Sequence, residues 1–517
     1  MKSLRQLFVQ NATANVVQLA ANSLVGIILP PILVHHLPHD VFSAWTLVLQ
    51  ISMYLSYLDL GIQSAIAYFV AFSESRADLR ARNRYVSSAF GVLSILAVAG
   101  VAGMVALAFT FRSVFAGLPQ TLAHDARNSL IVLAFSSATL LPTSVFGAVF
   151  VGQQRNHIPA LIAVFGRTTS ASLIAIVVLR QLGLIWMAGA LGIANLCVGF
   201  LLVQGWRRYA PDVEVRFQLM TMNASREILK YSYGLMIWTA SGLLISGLDT
   251  VIVGAVDFGS VAYYGIAAMV TTFLIQFQSA VMRALVPTAS ILHSREDAGA
   301  IQRLLQQSTR YGTLLLLWTG VPLIVLGQPI LRIWLGAQFA TRTFPLLVVL
   351  VIANIVRLTC LPYATVVLGV NQQNRIAYVG LAEGIINVVV SVVLGSEIGA
   401  AGVALGTLVG AAASVVLHFC YSMPRTKTVV GKRTALALDG LLVPLLVFIP
   451  WIGIWEAGRV LGSLSFHDVL VNLACAVLAA TMSWRIVLRE QDKTRVVARL
   501  WMMGQQLRGT IRERMGC

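Results

Sequence analysis

Apolar runs of about twenty residues, separated by short polar stretches, recur from one end of this chain of 517 residues to the other. An α-helix rises about 1.5 Å per residue, so a run of about twenty matches the roughly 30 Å hydrocarbon core of a bilayer. The pattern predicts spans near residues 12–37, 42–72, 86–111, 128–151, 158–179 and 184–206. Six more follow near 231–254, 261–292, 309–333, 343–369, 376–394 and 401–421, and two last ones near 436–455 and 468–487. The expected fold class is all-α and polytopic, with about fourteen transmembrane helices. Only the loop 207–230 and the tail after Ile486 are long and polar.

The pattern repeats itself. Leu141-Pro142 precedes Gln153-Gln154-Arg155-Asn156, and Leu361-Pro362 precedes Gln372-Gln373-Asn374-Arg375, about 220 residues later. At a similar offset Gln63-Ser64-Ala65 echoes Gln278-Ser279-Ala280, and Ser75-Arg76-Ala77-Asp78 echoes Ser294-Arg295-Glu296-Asp297. Ala188-Gly189-Ala190-Leu191-Gly192 has its counterpart in Ala401-Gly402-Val403-Ala404-Leu405-Gly406. The repeat predicts a six-helix lobe over 1–210, a cytoplasmic loop over 211–230 and a second six-helix lobe over 231–421. Two additional helices over 436–487 and a basic tail over 488–517 complete the expected organisation. Two like-oriented halves around a central site are a transporter architecture.

Composition agrees. Hydrophobic residues make up 58% of the chain and charged residues 11%, with mean hydropathy +0.81, against about 25% charged in an ordinary soluble domain. The formal charge is +17, which in a soluble protein would suggest nucleic acid. Here the positive-inside rule accounts for it. With a cytoplasmic N-terminus, 28 of the 37 Lys and Arg fall in inside segments, 6 in outside loops and 3 within spans. Both termini are therefore expected in the cytoplasm, and no nucleic-acid partner. The N-terminal segment reads as the start of the first span rather than a cleaved leader.

No HExxH, GxSxG or Walker A sequence is present, and no His and carboxylate cluster has ligand spacing, so neither an enzyme, a metal nor a cofactor is expected. Five cysteines without a CxxC pair read as small buried hydrophobes. The informative residues are the charges inside spans: Asp59, Arg167, Asp249, Arg283, Arg357 and Glu383. Each costs roughly 2.5–3.5 kcal/mol at a helix centre, so each needs a partner, a wet cavity or a role. Three arginines suit an anionic ligand, because a guanidinium stays charged in low dielectric and grips a phosphate with two parallel bonds. Equally, three bases and three acids could pair as static helix glue. Asp59, mid-span beside Gly61 where a helix can bend, is the first candidate for a coupling-ion site. Asp249 and Glu383 are the others.

Two six-helix lobes, two extra helices and a basic tail resemble the MOP superfamily. Local likeness points to its Wzx-like, polysaccharide-exporting branch. It rests on Asn11 and Asn15 opening span one, Phe42-Ser43-Ala44-Trp45 starting span two, Leu58-Asp59-Leu60-Gly61-Ile62-Gln63 within it, and Gly152-Gln153-Gln154-Arg155 after span four. The resemblance implies a V-shaped fold whose central cavity opens alternately to each side of a bacterial inner membrane. It implies flipping of an oligosaccharide linked to undecaprenyl pyrophosphate, which a polymerase then extends into O-antigen, capsule or exopolysaccharide. Arg167, Arg283 and Arg357 would face the pyrophosphate or acidic sugars; a cavity arginine on helix eight is a feature of lipid II flippases, and Arg283 lies on that helix. Asn15, Gln63 and Gln278 would face sugar hydroxyls, or else cross-link helices. A cation-coupled multidrug antiporter of the MATE type is the alternative. The absence of an acid among Asn15, Gln18 and Asn22 on span one weighs against it.

Overall fold

The computed structural model describes residues 4–461, 466–488, 490, 493 and 494. Most of the predicted basic tail, and the side chain of Arg459, lie outside the described residues. In chain order the helices are α1 (Leu4–His36), α2 (His39–Tyr57), α3 (Ile62–Ser75), α4 (Leu79–Val114), α5 (Gln120–Ala138), α6 (Leu140–Gly152), α7 (His157–Leu179) and α8 (Leu184–Tyr209). Next come α9 (Met222–Gly242), α10 (Asp249–Val256), α11 (Val261–Met282), α12 (Leu285–Ser294), α13 (Ala298–Val325), α14 (Gly327–Leu335), α15 (Ala337–Leu358) and α16 (Leu361–Gly369). The rest are α17 (Ala377–Leu417), the single turns α18 (Met423–Arg425) and α19 (Arg433–Ala435), then α20 (Val443–Leu461) and α21 (Phe466–Met482). No strand occurs among the described residues.

The chain is an all-α, multi-pass membrane protein. Each of the fourteen predicted segments has a helix at its place. By length and composition, eleven helices among the described residues are able to cross a bilayer, twelve if the pair α13 and α14, bent by 62°, is one span. The difference from fourteen has two sources. Predicted spans eleven and twelve share the continuous segment Gln373–Arg425, yet α17 turns sharply inside it at Ile398 (φ −128) and Gly399 (φ 63). The last predicted span falls on a shorter apolar stretch, Val471–Val487.

Several spans are broken. Span two breaks between α2 and α3, where Leu60 (φ 52) and Gly61 (φ 78) are both left-handed. Gly61 meets both requirements of the site: an L side chain rarely adopts that φ, and a Cβ there would lie 2.6 Å from Leu235 Cβ. Span eight breaks at Arg283–Ala284, span four at Thr139 and span ten at Thr359–Cys360. Pro142 and Pro362 sit just past the last two breaks, in the first turns of α6 and α16, where a missing N–H costs nothing.

These irregularities recur at the offset of the sequence repeat, about 220 residues. Breaks in spans two and four have counterparts in spans eight and ten. Left-handed Ala77, Gln154 and Gln181 have counterparts in Glu296, Asn371 and Gly399. Ala77 and Glu296 each precede a helix-capping aspartate, Asp78 accepting from Ala81 N at 2.9 Å and Asp297 from Ala300 N at 2.8 Å. Helix ends close alike, by bonds from Asp78 N to Ser73 O and Asp297 N to Leu292 O, and from Arg155 N to Phe150 O and Gln372 N to Val367 O. Such six-to-one bonds satisfy carbonyls left over at a helix end.

By contact the chain divides into two compact units. The described residues up to 273, with 328–353 and 376–414, form the first. Residues 274–327, 354–375 and the described residues from 415 onward form the second, where Trp318, Phe448 and Trp451 cluster between α13 and α20. Within the first unit, Asn11 and Asn15 tie α1 to the start of α7: Asn11 Oδ1 accepts from His157 N at 2.9 Å and Asn156 Nδ2 donates to Asn15 Oδ1 at 2.9 Å.

The loop after α8 is fastened in the same unit by Arg82, which is 1% exposed. Its guanidinium reaches Asp212 Oδ2 at 2.7 Å, Asp212 O at 2.6 Å and Glu74 Oε1 at 3.2 Å. Gln153 Nε2 donates to the same Glu74 oxygen at 2.8 Å. Removing one partner of a buried charge pair is costly, on the order of 3 kcal/mol. Arg82→Leu is therefore expected to lower the melting temperature of the detergent-purified protein by several degrees and to expose the loop around Asp212 to limited proteolysis. An unchanged melt and digest would show that the pairs contribute nothing.

Candidate functional site

Span seven is interrupted as well. α9 runs into a π-helical turn, Leu243–Gly247, and α10 starts two residues later at Asp249. A π-turn widens the ladder and leaves carbonyls without their usual i+4 donors. Side chains from two other helices supply donors here. Asn387 Nδ2, from α17, donates to Ile245 O at 2.7 Å and Leu244 O at 3.3 Å. Gln50 Nε2 and Tyr54 Oη, both on α2, donate to Gly247 O at 2.9 and 2.7 Å.

Directly below this turn the Asp249 carboxylate is 4% exposed. Its Oδ1 accepts from Asn387 Nδ2 at 3.1 Å. Its Oδ2 accepts from Thr407 Oγ1 at 3.0 Å and Tyr264 Oη at 3.3 Å. Ser391 Oγ lies 3.1 Å from Asn387 Oδ1 and 3.2 Å from Val403 O. Glu383, also buried, sits one helical turn before Asn387. Thr407, Tyr264 and Asn387 thus bring hydroxyl oxygens and one amide to Asp249, chemistry suited to a proton or a hard alkali cation rather than a soft metal.

Sequence makes this geometry possible through the two arms of α17. Glu383, Asn387 and Ser391 are four residues apart and share one face of the first arm; Val403 and Thr407 share a face of the second. The arms approach closely because Gly406 carries no side chain: a Cβ there would lie 2.2 Å from Ser391 Oγ. At the turn between them, Asp257 Oδ2 accepts from Ala400 N at 3.4 Å.

The remaining sequence-expected residues do not join this cluster. Asp59 is half-buried in the break of span two, where its Oδ1 accepts from Gln63 N at 3.3 Å. The Gln63 side chain is exposed. Arg283 is exposed in the break of span eight, and Arg357 is two residues ahead of the break in span ten, with Nη1 3.1 Å from Asn354 Oδ1. Arg167 lies on the exposed face of unbroken α7. The guanidinium groups of Arg167 and Arg283 make no ion pair among the described residues, so the static pairing of all six charges does not hold for these two. Gln278 is 0% exposed and donates to Gly312 O at 2.9 Å, which places it in helix packing. Asn15 is exposed and bonded to Asn156.

Four of the six intramembrane charges therefore sit at or beside interruptions of the helical ladder: Asp59, Asp249, Arg283 and Arg357. Sequence reasoning anticipated that association only for Asp59, beside Gly61. It also passed over Thr407 and Tyr264, and over Ser391, whose signal was the four-residue spacing of Glu383, Asn387 and Ser391 in an otherwise apolar helix.

Comparison with known proteins fits this geometry. The family model described as polysaccharide biosynthesis protein matches residues 8–293, and the one described as lipid II flippase MurJ matches residues 213–474. A curated relative from Haloferax volcanii, described as a probable low-salt glycan biosynthesis flippase, Agl15, is 22% identical over 230 residues. That match covers 44% of this chain, and the chain spans about half, 48%, of the relative's length. Among solved structures, lipid II flippase MurJ in an inward closed conformation aligns with TM-score 0.69 and 13% identity, covering 91% of this chain and 98% of that one. An inward-facing MATE-family multidrug resistance transporter of the MOP superfamily aligns with TM-score 0.67 and 13% identity, covering 80% and 98%. At these identities the structural likeness establishes the fold.

Proposed function

This chain belongs to the polysaccharide biosynthesis protein family of the MOP superfamily, and from that membership we propose that it flips a polyprenyl-pyrophosphate-linked oligosaccharide across a bacterial inner membrane by alternating access. The two six-helix halves would rock about a central path, with both termini cytoplasmic and helices α20 and α21 appended. The cargo would serve O-antigen, capsule or exopolysaccharide synthesis, with a polymerase taking it up on the far side. The lipid II flippase match and the name of the Haloferax relative support a lipid-linked glycan.

The observation that carries the reading is the place of Arg283. Irregular backbone at membrane depth is tolerated where it is buried in protein or lines a water-filled path. Arg283 is exposed in such a break and makes no ion pair among the described residues. A cation held there offers a phosphate a partner where bare hydrocarbon would repel it. Arg357 beside the next break would add to the same path; Arg167 on α7 is a further candidate for the phosphate, and Gln63 and Asn15 for sugar hydroxyls. Asp249, Asn387 and Thr407, with Glu383 one turn away, would bind the coupling proton or alkali cation. Asp59, in the break of span two, is the second coupling candidate.

Deletion of the gene, followed by glycan analysis, tests this directly. Surface polysaccharide is expected to disappear while lipid-linked repeat units accumulate. Intact polysaccharide together with altered dye sensitivity would replace the flippase by the cation-coupled drug antiporter.

A further inference from the structure

The start of α7 and the end of α8 enclose a groove of about 930 Å³. Its lining is graded along the helices. Arg155, His157, Gln204, Arg208 and Tyr209 stand at the helix ends, while Leu161, Ile162 and Leu201 stand further in. Leu201, Gln204, Gly205, Arg208 and Tyr209 follow the three- and four-residue spacing of one helix face, and Ile158, Leu161 and Ile162 do so on α7. From Tyr209 to Leu201 the face descends roughly 12 Å, at 1.5 Å per residue. A basic rim at the helix ends thus passes over about two turns into an apolar trough.

Little of the rim is spent on the protein. Arg155 Nη1 donates to Tyr209 O at 2.7 Å, which leaves its other guanidinium hydrogens for a ligand. The Arg208 guanidinium makes no hydrogen bond or ion pair among the described residues; its neighbour is the Tyr209 ring, 5.9 Å away. The exposed Leu161, 52% accessible, has no polar function on a wall facing hydrocarbon. Basic pockets between helices at the membrane surface are suited to anionic head groups, and each arginine there adds a charge-assisted bond.

We infer that the groove between α7 and α8 binds one anionic diacyl phospholipid, its phosphodiester between Arg155 and Arg208 and an acyl chain along Leu161, Ile162 and Leu201. None of Asp249, Arg283 and Arg357 lines this site. Its occupant is a bilayer lipid, not the transported glycan, so the inference stands or falls separately from the flippase reading. A bound lipid would brace α7 against α8 at the membrane surface.

The test uses the full chain in mild detergent, with melting temperature and native mass spectrometry as readouts during titration with phosphatidylglycerol, phosphatidylcholine, undecaprenyl phosphate or inorganic phosphate. Phosphatidylglycerol is expected to remain bound and to raise the melting temperature, with phosphatidylcholine much weaker. Loss of one charge-assisted bond in Arg208→Gln should weaken phosphatidylglycerol about tenfold. Leu161→Trp, which fills the trough and leaves every charge in place, should weaken it as well. Unchanged binding in both variants, or equal binding of the zwitterionic lipid, overturns the site. Tighter binding of undecaprenyl phosphate, or an equal shift with inorganic phosphate alone, overturns the assignment to a phospholipid.

Discussion

Asp249→Asn is expected to eliminate cation-dependent transport while the protein still inserts and folds. The substitution is isosteric. An amide oxygen still accepts from Thr407 Oγ1, at 3.0 Å from the present Oδ2, and from Tyr264 Oη. The charge is lost, however, and a charged hydrogen-bonding group contributes about 1.5–3 kcal/mol more than nothing at all. That corresponds to roughly 10- to 150-fold in cation affinity. The effect should extend beyond binding. Asn387 Nδ2 touches both Asp249 Oδ1 and Ile245 O, and Gly247 O is held by Gln50 and Tyr54 of α2. The occupancy of one carboxylate would thereby reach the π-turn and, through it, span two. Transport in proteoliposomes under imposed sodium and proton gradients would measure it. Full gradient-driven transport in Asp249→Asn would move the coupling role to Asp59, which the parallel variant Asp59→Asn then tests.

The second large effect is expected from Arg283 and Arg357 together. The double variant Arg283→Ala, Arg357→Ala should abolish glycan export at normal protein levels, each arginine accounting for roughly 10- to 150-fold. Lysine at both positions should restore part of the activity, since it keeps the charge and loses the planar fork. Arg357 also bonds Asn354 at 3.1 Å, so membrane insertion must be checked by quantifying folded protein. Arg283 has no such obligation among the described residues, and its single variant reports on transport alone. Export that survives the double change removes the arginines from the path.

Much of the fold was legible because lipid is a demanding solvent. A helix in hydrocarbon must be apolar for about twenty residues, and each predicted segment indeed has its helix. The repeat was legible in short motifs, and the structure added the turns behind them, Ala77 with Glu296 and Gln154 with Asn371. The interruptions were legible in part. Gly61, Pro142 and Pro362 marked spans two, four and ten, and Pro287, three residues past Ala284 as Pro142 is past Thr139, offered the same mark for span eight. The π-turn at Leu243–Gly247 left no mark at all, because it is stabilised by donors from α2 and α17 that are remote in sequence. Hydropathy also treats a polar residue alike wherever it points. It could not separate Gln278, buried against Gly312 O, from Gln63, which is exposed.

The separation of Asp249 from its partners also bears on how the chain is made. Asn387 and Thr407 follow it by 138 and 158 residues. At about 5–20 residues per second, a ribosome needs roughly 7 to 30 s to deliver them. During that interval span seven must enter or wait beside the membrane with only Tyr264, fifteen residues on, to bond its carboxylate. The helical hairpin of α17 then arrives as one unit and supplies both donors together. Chains truncated before Thr407 are accordingly expected to be removed faster by membrane quality-control proteases than the full chain, as a pulse-chase would measure.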